Sequence, residues 1–337
     1  MYIARDKYFN TYVLNKKLEG YALIKYKRNG EQKWQTKISN FQLGLKIRKN
    51  KIYIGGQEAN GFFASSYQTS NGQLLWSNSE KEGRRAKGFA LDKKGNVYIG
   101  GANQEIAEKQ KLHLVKFKES NGSIEWSTTS SIKEGRNSVS KIILDKENNL
   151  YLVGEIGGFG SQLANVSIAK FNKKGKYQWH RYIARAGGPY VARISKLILD
   201  PSQAPVLIGH LTDFYNINPS RETTRIFVVK LNSKTGEKTF HSFPNDPKLT
   251  HQTIDEYAIS SNTDEFGNIF VGGFSKTSGS RWNLTKINSK TGIKIWEIQG
   301  SNTIKPRIND LFIENKKIYL AITEKNKMTY DHKTIKL

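Results

Sequence analysis

One spacing limits what this chain can fold into. A glycine stands four residues ahead of an aromatic side chain at Gly30/Trp34, Gly72/Trp76, Gly122/Trp126, Gly175/Trp179, Gly236/Phe240 and Gly292/Trp296. Nine or ten residues before each aromatic, a polar residue precedes an apolar one: Lys25-Tyr26, Ser66-Tyr67, Lys116-Phe117, Lys170-Phe171, Lys230-Leu231 and Lys286-Ile287. Farther upstream, the run from Asp92 to Gly101 (DKKGNVYIGG) returns at Asp145–Gly154 and Asp264–Gly273, and loosely at Asp6–Leu14. Lys51–Gly56 and Lys317–Leu320 are shorter versions.

Each repeat reads as four short strands, A to D, separated by turn signals. Strand A is a short apolar run, as in Gly88–Leu91. The turn after it offers a carboxylate to cap backbone N–H groups and a glycine free to take positive φ. Strand B is the run with paired glycines, strand C ends in the polar–apolar pair, and strand D carries the aromatic. Four-stranded repeats of roughly 40–60 residues have the size of propeller blades. The expected fold is therefore all-β: a seven-bladed β-propeller, one domain over 1–337, with blades near 1–38, 39–80, 81–131, 132–184, 185–246, 247–301 and 302–337. Strand A is expected innermost. The run Thr334–Leu337 matches Val228–Leu231 at the close of a strand C, which gives 27 strands where seven full blades need 28. A three-stranded last blade, a strand lacking from the sequence, and a shift of Met1–Arg5 out of the first blade all account for the count.

The pattern Asp-x-x-Gly-Asn-x-Tyr-x-x-Gly, then Lys-Phe or Lys-Leu, then Gly-x-x-x-Trp resembles the bacterial seven-bladed β-propeller repeat family. More distantly it is similar to the blades of pyrroloquinoline-quinone dehydrogenases, as in Asn288–Trp296. The resemblance covers essentially the whole chain and implies a fold. It carries no catalytic residue across, because the family has no uniform activity.

Composition narrows the classes of function. The chain is 37% hydrophobic, enough for a packed core. No apolar run reaches the length of a membrane span, and the first residues lack the apolar region of a signal peptide. The chain is accordingly expected to be cytoplasmic, or a trimmed form of an exported bacterial protein. The absence of cysteine excludes disulfides, thiolate metal sites and a cysteine nucleophile. The net charge of +25 attracts polyanions over long range.

Candidate chemistry is sparse. His113, His180, His210, His241, His251 and His332 show no metal-binding spacing, so no metal site is expected. The recurring Asp6, Asp92, Asp145, Asp200 and Asp264 stand alone in their turns and are expected to cap them rather than bind calcium. The strand D tryptophans are expected to pack between blades. No cofactor and no catalytic residue is expected.

Arginine gives the one directional signal. Up-and-down strands place the A–B and C–D turns on one face and the variable D–A and B–C loops on the other. Nine of 13 arginines fall in or beside the variable loops, while lysines crowd the opposite turns. Arg85, Arg193 and Arg307 each lie seven residues before the end of strand A (Asp92, Asp200, Glu314), and Arg136 two residues earlier still in its own blade. The first three are expected to ring the mouth of a central channel. They stand either as an anion-binding set or as partners of Glu82, Glu134, Asp255 or Asp310. Arg225 and Arg281 share that face with the aromatics Phe159, Tyr190, Phe214, Tyr215 and Trp282. Arginine with aromatics is the composition of interaction hot spots.

The leading functional expectation is a non-enzymatic binding or scaffold propeller that engages an acidic protein surface or an anionic glycan through this face. The alternative is nucleic-acid or other polyanion binding through the overall positive field, although no nucleic-acid motif is present. A lyase or quinone-type enzyme at the channel mouth is the lesser alternative.

Overall fold

In a computed structural model, the structure describes residues 2–336 apart from 18–19, 39–40, 60, 104–109, 131, 133–135, 159–165, 185–189, 214–222, 244–254, 277–279, 301–305, 315 and 324–330. The described residues form 27 strands and no helix. The first sheet holds β1 (Tyr2–Arg5), β2 (Thr11–Lys17), β3 (Gly20–Tyr26) and β4 (Gln32–Ile38). The second holds β5 (Phe41–Arg48), β6 (Lys51–Glu58), β7 (Gly61–Gln68) and β8 (Leu74–Glu80). The third holds β9 (Gly83–Leu91), β10 (Val97–Asn103), β11 (Leu112–Phe117) and β12 (Ile124–Ser130). The fourth holds β13 (Arg136–Leu144), β14 (Leu150–Gly158), β15 (Val166–Phe171) and β16 (Tyr177–Ala184). The fifth holds β17 (Tyr190–Leu199), β18 (Pro205–Asp213), β19 (Thr223–Leu231) and β20 (Lys238–Ser242). The sixth holds β21 (Glu256–Thr263), β22 (Ile269–Ser275), β23 (Arg281–Ile287) and β24 (Lys294–Gln299). The seventh has three strands, β25 (Arg307–Glu314), β26 (Lys317–Thr323) and β27 (Asp331–Lys336). Strands follow chain order within every sheet, and those whose registers are given pair antiparallel.

Contacts divide the chain into two compact units, Met1–Phe159 with Ile168–Gln178, and Gly160–Ser167 with Trp179–Leu337. Within the first, β5 packs on β9 and β9 on β13; within the second, β17 packs on β21 and β21 on β25. Strand A is thus the strand that meets its counterpart in the next sheet. Strand D is the exposed edge, with most of β4, β12 and β24 open to solvent. The core lies between successive sheets. Tyr53, Phe62 and Trp76 of the second sheet close on Val97, Val115 and Phe117 of the third, and Val206 and Val228 of the fifth close on Ile269 and Ile287 of the sixth.

The repeated residues each have a mechanical task. Asp92 Oδ1 accepts the N–H groups of Lys94, Gly95 and Asn96 at 2.8–3.0 Å, and its Oδ2 accepts from Asn96 Nδ2 and the Tyr98 hydroxyl. Asp6, Asp145, Asp200 and Asp264 cap their turns in the same way. A carboxylate with so many donors is a turn cap, and its free lone pairs are too few for calcium. The paired glycines split their work. A Cβ on Gly272 would meet Ile308 and Leu311 of the next sheet, whereas one on Gly273 would overlap the Tyr257 carbonyl where β21 bulges.

Strand D aromatics join one sheet to the next. The Trp34 ring lies on Gly72, Trp76 on Gly122, Trp126 on Gly175, Trp179 on Gly236 and Phe240 on Gly292. Each indole also donates to a carbonyl of the same turn: Trp34 to Thr69 at 3.2 Å, Trp76 to Glu119 at 2.8 Å, Trp126 to Lys173 at 3.2 Å and Trp179 to Ser233 at 3.4 Å.

Two sequence expectations need correction. β1 pairs with β2 from Tyr2↔Leu14 to Arg5↔Thr11, so the first residues stay in the first sheet. In the last strand the pairing Tyr319↔Thr334 corresponds to Val206↔Lys230, which makes Thr334, not Lys336, the counterpart of Lys230.

Candidate ligand-binding face

The D–A and B–C connections lie at the strand ends where A begins and B finishes. Pairing fixes which side chains share a level there. Arg193 lies opposite His210 and Arg307 opposite Thr323, each two residues past the bulge partner on strand B. In the third sheet the equivalent position, opposite Ala102, is held by Arg84. β9 has one more residue in its bulge than β17 or β25, so equal counting from Asp92 and Asp200 selects Arg85 while the register selects Arg84. Arg85 sits inside the bulge at φ 51°, and its guanidinium donates to Gln110 Oε1 at 3.2 Å. Arg85, Arg193 and Arg307 are exposed, and none forms an ion pair with a described residue. Their proposed pairing with Glu82, Asp255 or Asp310 is therefore not what the structure contains: Asp255 pairs with Lys276 at 3.2 Å, and Asp310 accepts from Ser260 at 2.6 Å.

The other sequence candidates spread out. Arg225 lies opposite Leu211 in the β18–β19 ladder, with its guanidinium 5.9 Å from the Phe243 ring. This B–C connection is thus strand up to Asp213 and again from Thr223. Arg281 donates to Gln299 at 3.4 Å. Trp282 is buried in the core with Leu284, Ile308 and Leu320, so its ring is not offered to a ligand. Alternation along β23 explains this, since a residue next to a loop still points inward when its register demands it. Arg136 starts β13 opposite Gly158 and Tyr190 starts β17 opposite Asp213, but their side chains lie outside the described residues. Glu134, Phe159, Phe214 and Tyr215 also lie outside them.

One cluster in the second unit combines charge and aromatic surface. His210 meets the Tyr257 ring edge-on at 5.2 Å, and Tyr257 stacks on Phe274 at 4.7 Å. Lys276 Nζ lies 4.8 Å above Tyr257 and ties to Asp255. His210 Nδ1 is buried without a hydrogen-bond partner. Burial, followed by the Arg193 charge, holds the imidazole below its ordinary pKa against the smaller pull of Asp255. The result is an exposed guanidinium beside a neutral imidazole and a stacked pair of rings.

Two further features were not visible in the sequence. Glu80, Glu82 and His113 bring possible metal-ligating atoms within 4.8 Å of one another. Two of the three are already engaged, however: Glu80 accepts from the N–H groups of Glu82 and Gly83 and from His113 Nε2, and His113 Nδ1 meets Thr129 at 2.8 Å. No local spacing announces this trio, because His113 arrives from β11. The second feature is a cleft of about 610 Å³ on the opposite, turn-bearing face, lined by five lysines, Lys94, Lys116, Lys118, Lys173 and Lys174, and four carboxylates, Asp92, Glu119, Glu125 and Glu147. It arises between turns of separate repeats.

No protein-family model matches the sequence, and no curated protein sequence is similar to it. Solved structures are similar. BamB from Moraxella catarrhalis superposes with a TM-score of 0.51 at 17% identity, over 94% of this chain and 80% of that one. A quinohemoprotein alcohol dehydrogenase from Comamonas testosteroni gives 0.56 at 11% identity, over 92% of this chain and 62% of that one. The chain is a seven-bladed β-propeller. Its sheets are the blades, strand A the inner and strand D the outer strand, and the last blade has three strands. The chain spans less than two thirds of the dehydrogenase, and at these identities likeness conveys fold alone.

Proposed function

We propose that this propeller is a non-catalytic binding protein whose D–A/B–C face takes an anionic partner, either an acidic protein segment or an anionic glycan. The observation that carries the reading is Arg193: exposed, without an ion pair to a described residue, and next to His210, whose Nδ1 has no hydrogen-bond partner, and the Tyr257–Phe274 stack. A guanidinium fork suits carboxylate or sulfate, and the stacked rings suit the apolar part of such a group. An anion at Arg193 would offset the charge that holds His210 below its ordinary pKa.

The test is titration of His210 by NMR with and without a sulfated polysaccharide. Binding is expected to raise the His210 pKa, and Arg193→Ala is expected to weaken binding about tenfold or more, as loss of one charge-assisted contact does. A second reading, polyanion capture by the general field, is favoured by the net charge of +25. If Lys173→Ala with Lys174→Ala weakens binding as much as Arg193→Ala, and the His210 pKa stays fixed, the specific site is refuted and the field accounts for the binding.

A further inference from the structure

The join between the second and third blades is polar at a place where comparable joins are apolar. His113 lies opposite Gly101, as Phe63 lies opposite Gly56 and Phe227 opposite Gly209. Glu80 stands four residues after Trp76, as Ile38 stands after Trp34 and Ile183 after Trp179. Ile38 and Phe63 belong to one apolar cluster, and Ile183 and Phe227 are both buried. Glu80 and His113 are equally buried, at 6% and 0% exposure, with Glu80 Oε2 3.2 Å from His113 Nε2. A carboxylate and an imidazole lose hydration on burial that an Ile–Phe pair never had, so the exchange adds little stability by itself. It points to a task other than packing.

We propose that Glu80, Glu82 and His113 bind a zinc ion that clamps the second blade to the third. Ligand atoms about 2.0–2.1 Å from zinc in a tetrahedral site stand about 3.3 Å from one another. Glu80 Oε2 and His113 Nε2 already have nearly that separation, 3.2 Å. Both are held in place. Glu80 accepts the N–H groups of Glu82 at 2.8 Å and Gly83 at 3.1 Å, and Thr129 Oγ1 lies 2.8 Å from His113 Nδ1. With Nδ1–H donating to Thr129, Nε2 turns its lone pair to the ion, and a hydrogen bond of this kind is what orients imidazole ligands in general. Glu82 is the third ligand. Its carboxylate is exposed, engages no described residue, and lies within 4.8 Å of the other two ligand atoms, so rotation of the side chain brings it onto the ion. Solvent beside Glu82 supplies a water for the fourth position. Two carboxylates and a neutral imidazole balance a divalent cation, which leaves no net charge near the Phe62 ring, 5.5 Å from that of His113. Calcium suits the trio badly, since it takes six or more oxygen ligands.

The experiment uses the untagged full chain, freed of metal with EDTA, and zinc chloride as the probe. Calorimetric titration is expected to show one tightly bound ion per chain, with a rise in melting temperature and a shift of the His113 Nε2 resonance in nitrogen NMR. Glu82→Gln is expected to weaken binding about tenfold or more with circular dichroism unchanged. Glu31→Gln, at an exposed carboxylate of the first blade, is expected to bind as wild type does. His113→Gln is expected to abolish tight binding; if that protein fails to fold, Glu82→Gln and the His113 resonance decide the matter. No saturable binding, equal affinity in wild type and Glu82→Gln, or a His113 resonance that zinc leaves in place overturns the proposal.

Discussion

The join between the second and third blades lends itself to a quantitative test. Trp76 is buried, donates Nε1–H to the Glu119 carbonyl at 2.8 Å, and lays its ring on Gly122. Truncation of a large core aromatic costs about 3–5 kcal/mol, so Trp76→Ala is expected to lose that much. Trp76→Phe keeps a ring and loses the N–H, which is expected to cost about 1 kcal/mol. The seat can be damaged as well as the ring. Gly122 has φ 73°, and a Cβ there would overlap the Trp76 ring. Gly122→Ala therefore combines a left-handed backbone penalty of about 1–2 kcal/mol with an overpacking penalty of about 1–3 kcal/mol. Once Trp76 is alanine, the second penalty disappears. The two substitutions together are expected to cost about 1–3 kcal/mol less than the sum of the singles. Urea denaturation followed by circular dichroism, with amide exchange in β8 and β11, measures all four corners. Additivity within about 0.5 kcal/mol would refute the ring-and-seat account.

Three other perturbations follow from the same geometry. Asp92→Ala removes the acceptor for three N–H groups and for Tyr98, and is expected to lower stability by about 2–4 kcal/mol in the same denaturation assay. Burial alone would raise the Glu80 carboxyl, but His113 and the N–H groups of Glu82 and Gly83 outweigh it and hold the pKa below the ordinary value. The unfolded state then binds more protons in the acid range, so the advantage of wild type over Glu80→Gln should be complete above about pH 5 and shrink as pH falls below about 4. A difference that does not vary with pH would show that the ionised carboxylate contributes nothing. Lys316 holds φ 60° in a turn position occupied by Gly95 and Gly267 in other blades, and Lys316→Gly is expected to stabilise by roughly 0.5–1 kcal/mol. A loss there would mean that the lysine side chain contributes more than its backbone costs.

The blades were legible because their signals are local. A carboxylate, an asparagine four residues on and a positive-φ glycine define the Asp92 turn within five residues, and Gly122 and Trp126 define the C–D hairpin in the same way. The arginines expected at a channel mouth were less legible because a bulge alters the count. Arg85 and Arg193 are equally far from their turn aspartates, yet only Arg193 has the pairing its number suggests, since β9 spends an additional residue between Gly88 and Arg84. Trp282 was misplaced because loop proximity in sequence does not set side-chain direction, which register does. Nothing in the sequence pointed to His210, Tyr257 and Phe274 together, because they come from three strands in two blades and meet only through packing between sheets.

Because a repeat such as the third carries both a ring, Trp126, and a seat, Gly122, each unit is complementary to a copy of itself. Adhesion between neighbours therefore holds no information about where in the series a unit stands. Duplicating such a unit, or deleting one, would create a junction of the kind already present. Blade number must then be selected by the geometry of the inner strands, where Gly44, Gly88, Lys141, Lys196, Ser260 and Asp310 occupy one register and differ widely in bulk. Lengthening the series by gene duplication would thus leave the joins intact and concentrate the need for new substitutions on those few innermost positions.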